Sequence, residues 1–129
     1  MIVEREPFLS DTRAYCLSLP GTIERESHGS PGFFVDGKKA FVHYRNDHHG
    51  DGIVGLWCAV PPGMQQLLVA GNPELYYVPA YVGPRGWVGV RLDRGAEWGE
   101  IAAVIGEAYR HRAPKKYVKA LTEGADRDS

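Results

Sequence analysis

Apolar residues recur along this chain first at helical and then at strand spacing. Over 8–18, FLSDTRAYCLS, Leu9, Arg13 and Cys16 fall on one side with Thr12, Tyr15 and Leu19 adjoining them. That spacing predicts a helix, which Pro20-Gly21 stops. From Ile23 to Val60 the pattern turns to strands. IERES alternates once, and GSPG reads as a turn, because proline presets φ and glycine supplies the positive-φ position. FFV then passes through Asp36-Gly37, a strong tight-turn signal, into KKAFVHYR. Alternation there predicts Ala40, Val42 and Tyr44 on one face, with Phe41 and His43 on the other. After the turn region NDHHGDG, IVGLWCAV is almost continuously apolar, so it is expected at the centre of the sheet.

Pro61-Pro62 ends the strand run and opens a helix at 62–70, where Met64, Leu67 and Leu68 recur at i, i+3 and i+4 before Gly71-Asn72-Pro73 closes it. ELYYV and GWVGVRL are the last two strands, joined through PAYVGPR. A third helix is expected over 97–112, with Trp98, Ile101, Ala102, Ile105, Ala108 and Tyr109 as its apolar stripe. Gly106 inside it costs about 1 kcal/mol relative to alanine, which close packing against the sheet would offset. Pro114 suits the first turn of a short final helix, PKKYVKAL, and TEGADRDS at 122–129 reads as a polar, frayed tail. This order of elements gives an α+β fold, a mostly antiparallel sheet backed on one face by helices. At 129 residues a single domain over 1–121 is expected, with the tail outside it.

Composition excludes several classes. Apolar residues make up 43% of the chain, which suits a globular core and not a disordered one. No apolar run approaches the roughly 20 residues that span a bilayer, and MIVEREPFLS lacks the apolar stretch of a signal peptide. The expected location is therefore the cytoplasm, with no membrane partner. Cys16 and Cys58 show no CxxC spacing, so they are expected as reduced packing residues. The formal charge is −1 and the pI about 6.5, so a nucleic-acid role would need a local basic patch.

With these elements in this order, the chain resembles the YjbR/MmcQ family. The resemblance rests on LPGT after the first helix, GSPGFFVDGKKAF across the first hairpin, VPAYVGPRGWVGVRLD, and EWGEIAAVIGEAYRHRAPKK with its proline break. It covers residues 10–120, and YVGPRGWVGVRL is its most specific part. It implies a CyaY-like two-layer domain, and the family name commonly carries the label DNA-binding protein. DNA is accordingly the first expected partner. The resemblance supplies no catalytic motif and no cofactor.

Candidate binding residues lie in two regions. In the strand at 86–92, Val88, Val90 and Leu92 suit a helix-backed core, while Trp87, Gly89 and Arg91 point the other way. An exposed sheet face around Trp87, cleared by the glycine, would stack bases or dock a protein or small ligand. Gly83-Pro84-Arg85-Gly86 resembles an RNA-clamping GXXG loop, but Pro84 removes a donor, so a turn with Arg85 at its tip is expected. RHRAPKKYVK at 110–119 carries Arg110, Arg112, Lys115, Lys116 and Lys119 without an acid. The helix dipole accounts for Arg110 and Arg112 but not for the lysines. His43, Asp47, His48, His49 and Asp51 in HYRNDHHGDG are metal-ligand types at a spacing that fits no known motif, so that segment is expected as a turn and no metal is expected. With no GxSxG, HExxH or P-loop, a non-enzymatic binding domain is expected.

Overall fold

Helix α1 (Leu9–Ser18) turns Leu9, Thr12 and Cys16 inward. Arg13 on its flank grips Glu24 with two hydrogen bonds of 2.6 and 2.9 Å, fixing the helix to the first strand. Strands β1 (Thr22–Ser27), β2 (Ser30–Val35), β3 (Lys39–Asn46) and β4 (Val54–Cys58) follow. After helix α2 (Met64–Gly71) come β5 (Tyr76–Tyr77) and β6 (Val88–Arg91), then helices α3 (Trp98–Arg112) and α4 (Lys115–Asp128). The computed structural model describes residues 6–128, with side chains to 123, so the start of the charged N-terminal run lies outside the described residues.

The six strands form one antiparallel sheet in the order β1-β2-β3-β4-β6-β5. The α+β class and the central place of β4 are as expected from the pattern. Phe33, Val35, Val42, Tyr44, Leu56, Cys58, Val88, Val90 and Leu92 bury their side chains on the helix side, against Ile101, Ile105, Ala108 and Tyr109 of α3. Cys16 and Cys58 are buried free thiols in that core. No helix among the described residues is long and apolar enough to cross a membrane.

Four local expectations are corrected. The β1–β2 turn is His28-Gly29, at φ 52° and 81°, and not GSPG. Two positive-φ residues match the twist of a two-residue hairpin, which leaves Ser30 and Pro31 to the strand. Strict alternation in β3 also fails, because Phe33 pairs with Val42 and Phe34 with Ala40. Phe41 is the extra residue of a β-bulge, so it joins Val42 on the helix side, edge-on to Tyr109, and Ala40 moves to the opposite face. Gly106 meets α1 and not the sheet: a Cβ there would lie 3.3 Å from the Tyr15 hydroxyl. Finally, α4 continues to Asp128 through most of the segment expected to fray. Thr122 bonds back to the Val118 carbonyl and Lys119 lies 3.9 Å from Glu123, both within the helix.

Candidate functional site

The side of the sheet away from α1 and α3 carries a second, smaller cluster. Trp57, Ala59 and Trp87 are buried there, with Ala40, Tyr77 and Val82 packed on them. What covers them is the connection between β5 and β6. It crosses the face through a single turn of 3-10 helix, Gly83–Arg85, and returns at Trp87. Buried Gln65 of α2 holds it down, its side-chain amide donating to the carbonyls of Gly83 (2.8 Å) and Trp87 (2.6 Å).

This cover changes the expected site. Trp87 is 4% exposed and stacks on His43, ring centroids 5.5 Å apart, so the exposed sheet face around Trp87 does not exist. The clearance provided by Gly89 is also taken. A Cβ on Gly89 would run into the ring of Tyr77, and one on Gly55 would lie 2.7 Å from the Tyr77 hydroxyl. Tyr77 therefore lies over both glycines, where its hydroxyl accepts a 3.1 Å hydrogen bond from the Trp57 indole.

Beyond this cluster the face opens into a cavity of about 630 Å³. Its lining includes His43, Arg45 and Trp57 from the sheet, with Ser27, His28 and Ser30 at the first hairpin. Asn46 to His49 close one end, and Tyr81, Val82 and Arg85 of the covering segment form a wall. Alternation delivers His43 and Arg45 together, because the β3 bulge lies before both of them. The His48 ring meets Trp57 edge-on at 5.0 Å and Tyr81 at 6.0 Å.

Arg45 dominates the electrostatics of the cavity. It is 4% exposed and has its guanidinium 5.1 Å over the Trp57 ring. One nitrogen donates 2.8 Å to the Ser27 carbonyl, while Nε has no partner. No carboxylate among the described residues pairs with it. Burial pulls this guanidinium below its ordinary range. Burial, helped by the charges of Arg45 and His28, pushes the His43 imidazole down to about 4. His48 is lowered by its own burial, then by His49 and Arg45. His43 Nδ1 and His48 Nε2, like Arg45 Nε, are buried without a partner. Asp47 also lines the cavity, but its Oδ1 accepts the Gly52 amide at 2.8 Å within its own turn. Among the described residues no group of three His, Cys, Asp or Glu side chains could hold a metal.

The other residues singled out in the sequence are dispersed. Arg91 shares the outer face but lies 3.3 Å from Asp93 in an ion pair. Arg85 stands exposed at the cavity rim. Arg112 donates 3.1 Å to the Ala40 carbonyl, and the nearby charge of Arg85 adds to burial in lowering its pKa. Arg110, two residues away on α3, pairs with Glu107 at 3.4 Å and lines a different surface groove. Lys115 and Lys116 are exposed, Lys116 with its ammonium 4.9 Å over the Tyr117 ring. Lys119 is engaged with Glu123. The structure thus joins Arg85 to Arg112 and divides the rest. Sequence reasoning does not single out Arg45; its signal is an arginine two positions from His43, on the same face of a strand whose 40–42 stretch is apolar.

A six-stranded antiparallel sheet with helices on one face and a cation-lined cavity on the other defines an α+β domain with a built recess. The YjbR family model matches residues 17–111, and the chain belongs to that family. The crystal structure of Deinococcus radiodurans protein DR2400, which carries the DUF419 family-model domain, is similar with a TM-score of 0.66. The two share 19% identity over 84% of this chain and 80% of that one, a likeness of fold. No curated protein shows significant similarity to the chain.

Proposed function

We propose that this protein is a small-molecule-binding domain whose site is the cavity between the sheet and the 78–87 segment. One observation carries the reading. Among the described residues four buried side-chain atoms have no hydrogen-bond partner, and three of them, His43 Nδ1, Arg45 Nε and His48 Nε2, belong to residues lining this cavity. Buried polar groups are ordinarily satisfied, and three such orphans on side chains that line one recess mark it as the place where the fold gathers polar groups it does not answer. The volume also falls in the range of small-molecule sites.

The reading is binding without catalysis. It rests on the sequence, which carries no GxSxG, HExxH or P-loop motif. The buried free thiols Cys16 and Cys58 suit the reducing cytoplasm as its setting.

The three tryptophan indole N–H resonances test the pocket reading. Trp57 and Trp87 lie at or beside the cavity, while Trp98 stacks with Phe8 on the far side of the sheet. A screen of small aromatic and anionic compounds should shift Trp57 and leave Trp98 in place. Shifts confined to Trp98, or none at all, would remove the basis for the site.

The nearness of Arg85 and Arg112 favours DNA as a second reading, with exposed Lys115 and Lys116 following in the chain. The lysines lie outside the residues the family model matches. Phosphate-driven binding of a fluorescent duplex would weaken steeply with added salt and fall when Arg85 and Arg112 become alanine. No binding by micromolar protein at low salt sinks this reading.

A further inference from the structure

Resting on the pocket reading, we infer that the ligand carries an anionic head, a carboxylate or phosphate, received by Arg45, on a planar body set against Trp57 and Tyr81. The argument starts from a charge that the chain itself leaves unanswered. A guanidinium removed from water is held without large cost only when an anion and well-placed acceptors replace the water. Arg45 has one neutral acceptor, the Ser27 carbonyl, and one aromatic face, that of Trp57. The carboxylate in the lining, Asp47, is directed into its own turn by the Gly52 amide.

The surroundings supply no counter-ion: Arg85, a second cation, stands at the rim of the recess, and the His43 and His48 imidazoles in its lining have their pKa lowered by burial. Arginine presents donors in a fork that matches two oxygens of a carboxylate or phosphate. Beside that fork, the Trp57, His48 and Tyr81 rings offer faces and edges to a flat group. Charge recognition at the floor and apolar walls therefore occur in one recess.

The test titrates benzoate, phenyl phosphate and benzamide into the full chain while following the Trp57 and Trp98 indole resonances. Benzoate or phenyl phosphate should shift Trp57 saturably, with neutral benzamide weaker by about tenfold or more, the worth of a charge-assisted hydrogen bond. The stronger of the two anions identifies the head as carboxylate or phosphate. Arg45→Gln should abolish the preference for anions. Arg45→Met should fold with a thermal midpoint equal to or above that of the parent, because it removes an uncompensated charge. Benzamide binding as tightly as the anions overturns the inference and leaves the pocket standing. Silence from all three probes overturns both. A marked loss of stability in Arg45→Met makes the guanidinium a structural member and likewise overturns the inference.

Discussion

The imidazole of His43 lies nearly parallel to the indole of Trp87, ring centroids 5.5 Å apart and planes 17° from one another. Burial holds this imidazole neutral, its pKa lowered from 6.5 to about 4. The unfolded chain takes up the proton at the higher pH, so between these values it binds more protons than the folded one. Stability should therefore be undiminished above the unfolded pKa and fall as pH drops from 6.5 towards 4, by on the order of 3 kcal/mol. Urea denaturation across that window measures the slope. His43→Phe keeps a ring against Trp87 and removes the titration, so its acid slope should flatten; a slope equal to the parent's would assign the effect to another group.

The bed under Tyr77 gives a second prediction. Gly89→Ala should destabilise by about 1–3 kcal/mol, the usual cost of overpacking, because its methyl group and the Tyr77 ring need the same space. In a Tyr77→Ala background the same change should cost much less, and a double-mutant cycle reads the coupling. Additive effects would show that the two residues do not meet.

Periodicity made much of this fold legible and hid the rest for identifiable reasons. β6 alternates cleanly, so the sequence alone separates Val88 and Val90 from Trp87 and Gly89. The direction of Trp87 was readable, but what covers it was not. Its cover comes from a connection without regular strands and is fixed by Gln65, 22 residues away in the sequence. The cavity was hidden in the same way: its lining joins a hairpin, β3, β4 and the covering segment. The histidines of HYRNDHHGDG read as metal-ligand types, whereas Arg45 between them is the group with an unanswered charge. The Phe41 bulge was invisible because a period of two cannot register one inserted residue.

That bulge is itself testable. With Phe41 fully buried against Tyr109, Phe41→Ala should cost about 3–5 kcal/mol in chemical denaturation. Leu67 is 76% exposed on α2, and Leu67→Ala should change stability by no more than about 0.5 kcal/mol. Were alternation strict, Phe41 would occupy the cavity side of β3 and its loss would disturb the Trp57 resonance. A small cost together with a shifted Trp57 signal would therefore refute the bulged register.

Gln65 ties the stability of the fold to the shape of the site. Its single amide nitrogen serves two buried carbonyls, those of Gly83 and Trp87, on either side of the 3-10 turn that precedes β6. Gln65→Leu fills a similar volume but takes this donor from the Trp87 oxygen and leaves the Gly83 oxygen with the Gly86 amide alone, a loss of about 1–3 kcal/mol. The segment between Tyr81 and Gly86 is otherwise held by local bonds, among them Gly83 to Pro79 and Gly86 to Gly83. Hydrogen exchange at those amides should therefore accelerate in the variant, while Leu56 and Val90 in the paired strands β4 and β6 keep their protection. Because Tyr81, Val82 and Arg85 form one wall of the cavity, benzoate affinity should weaken in parallel. Faster exchange with unchanged affinity would mean that the wall takes no part in binding; unchanged exchange would mean that Gln65 does not hold the segment.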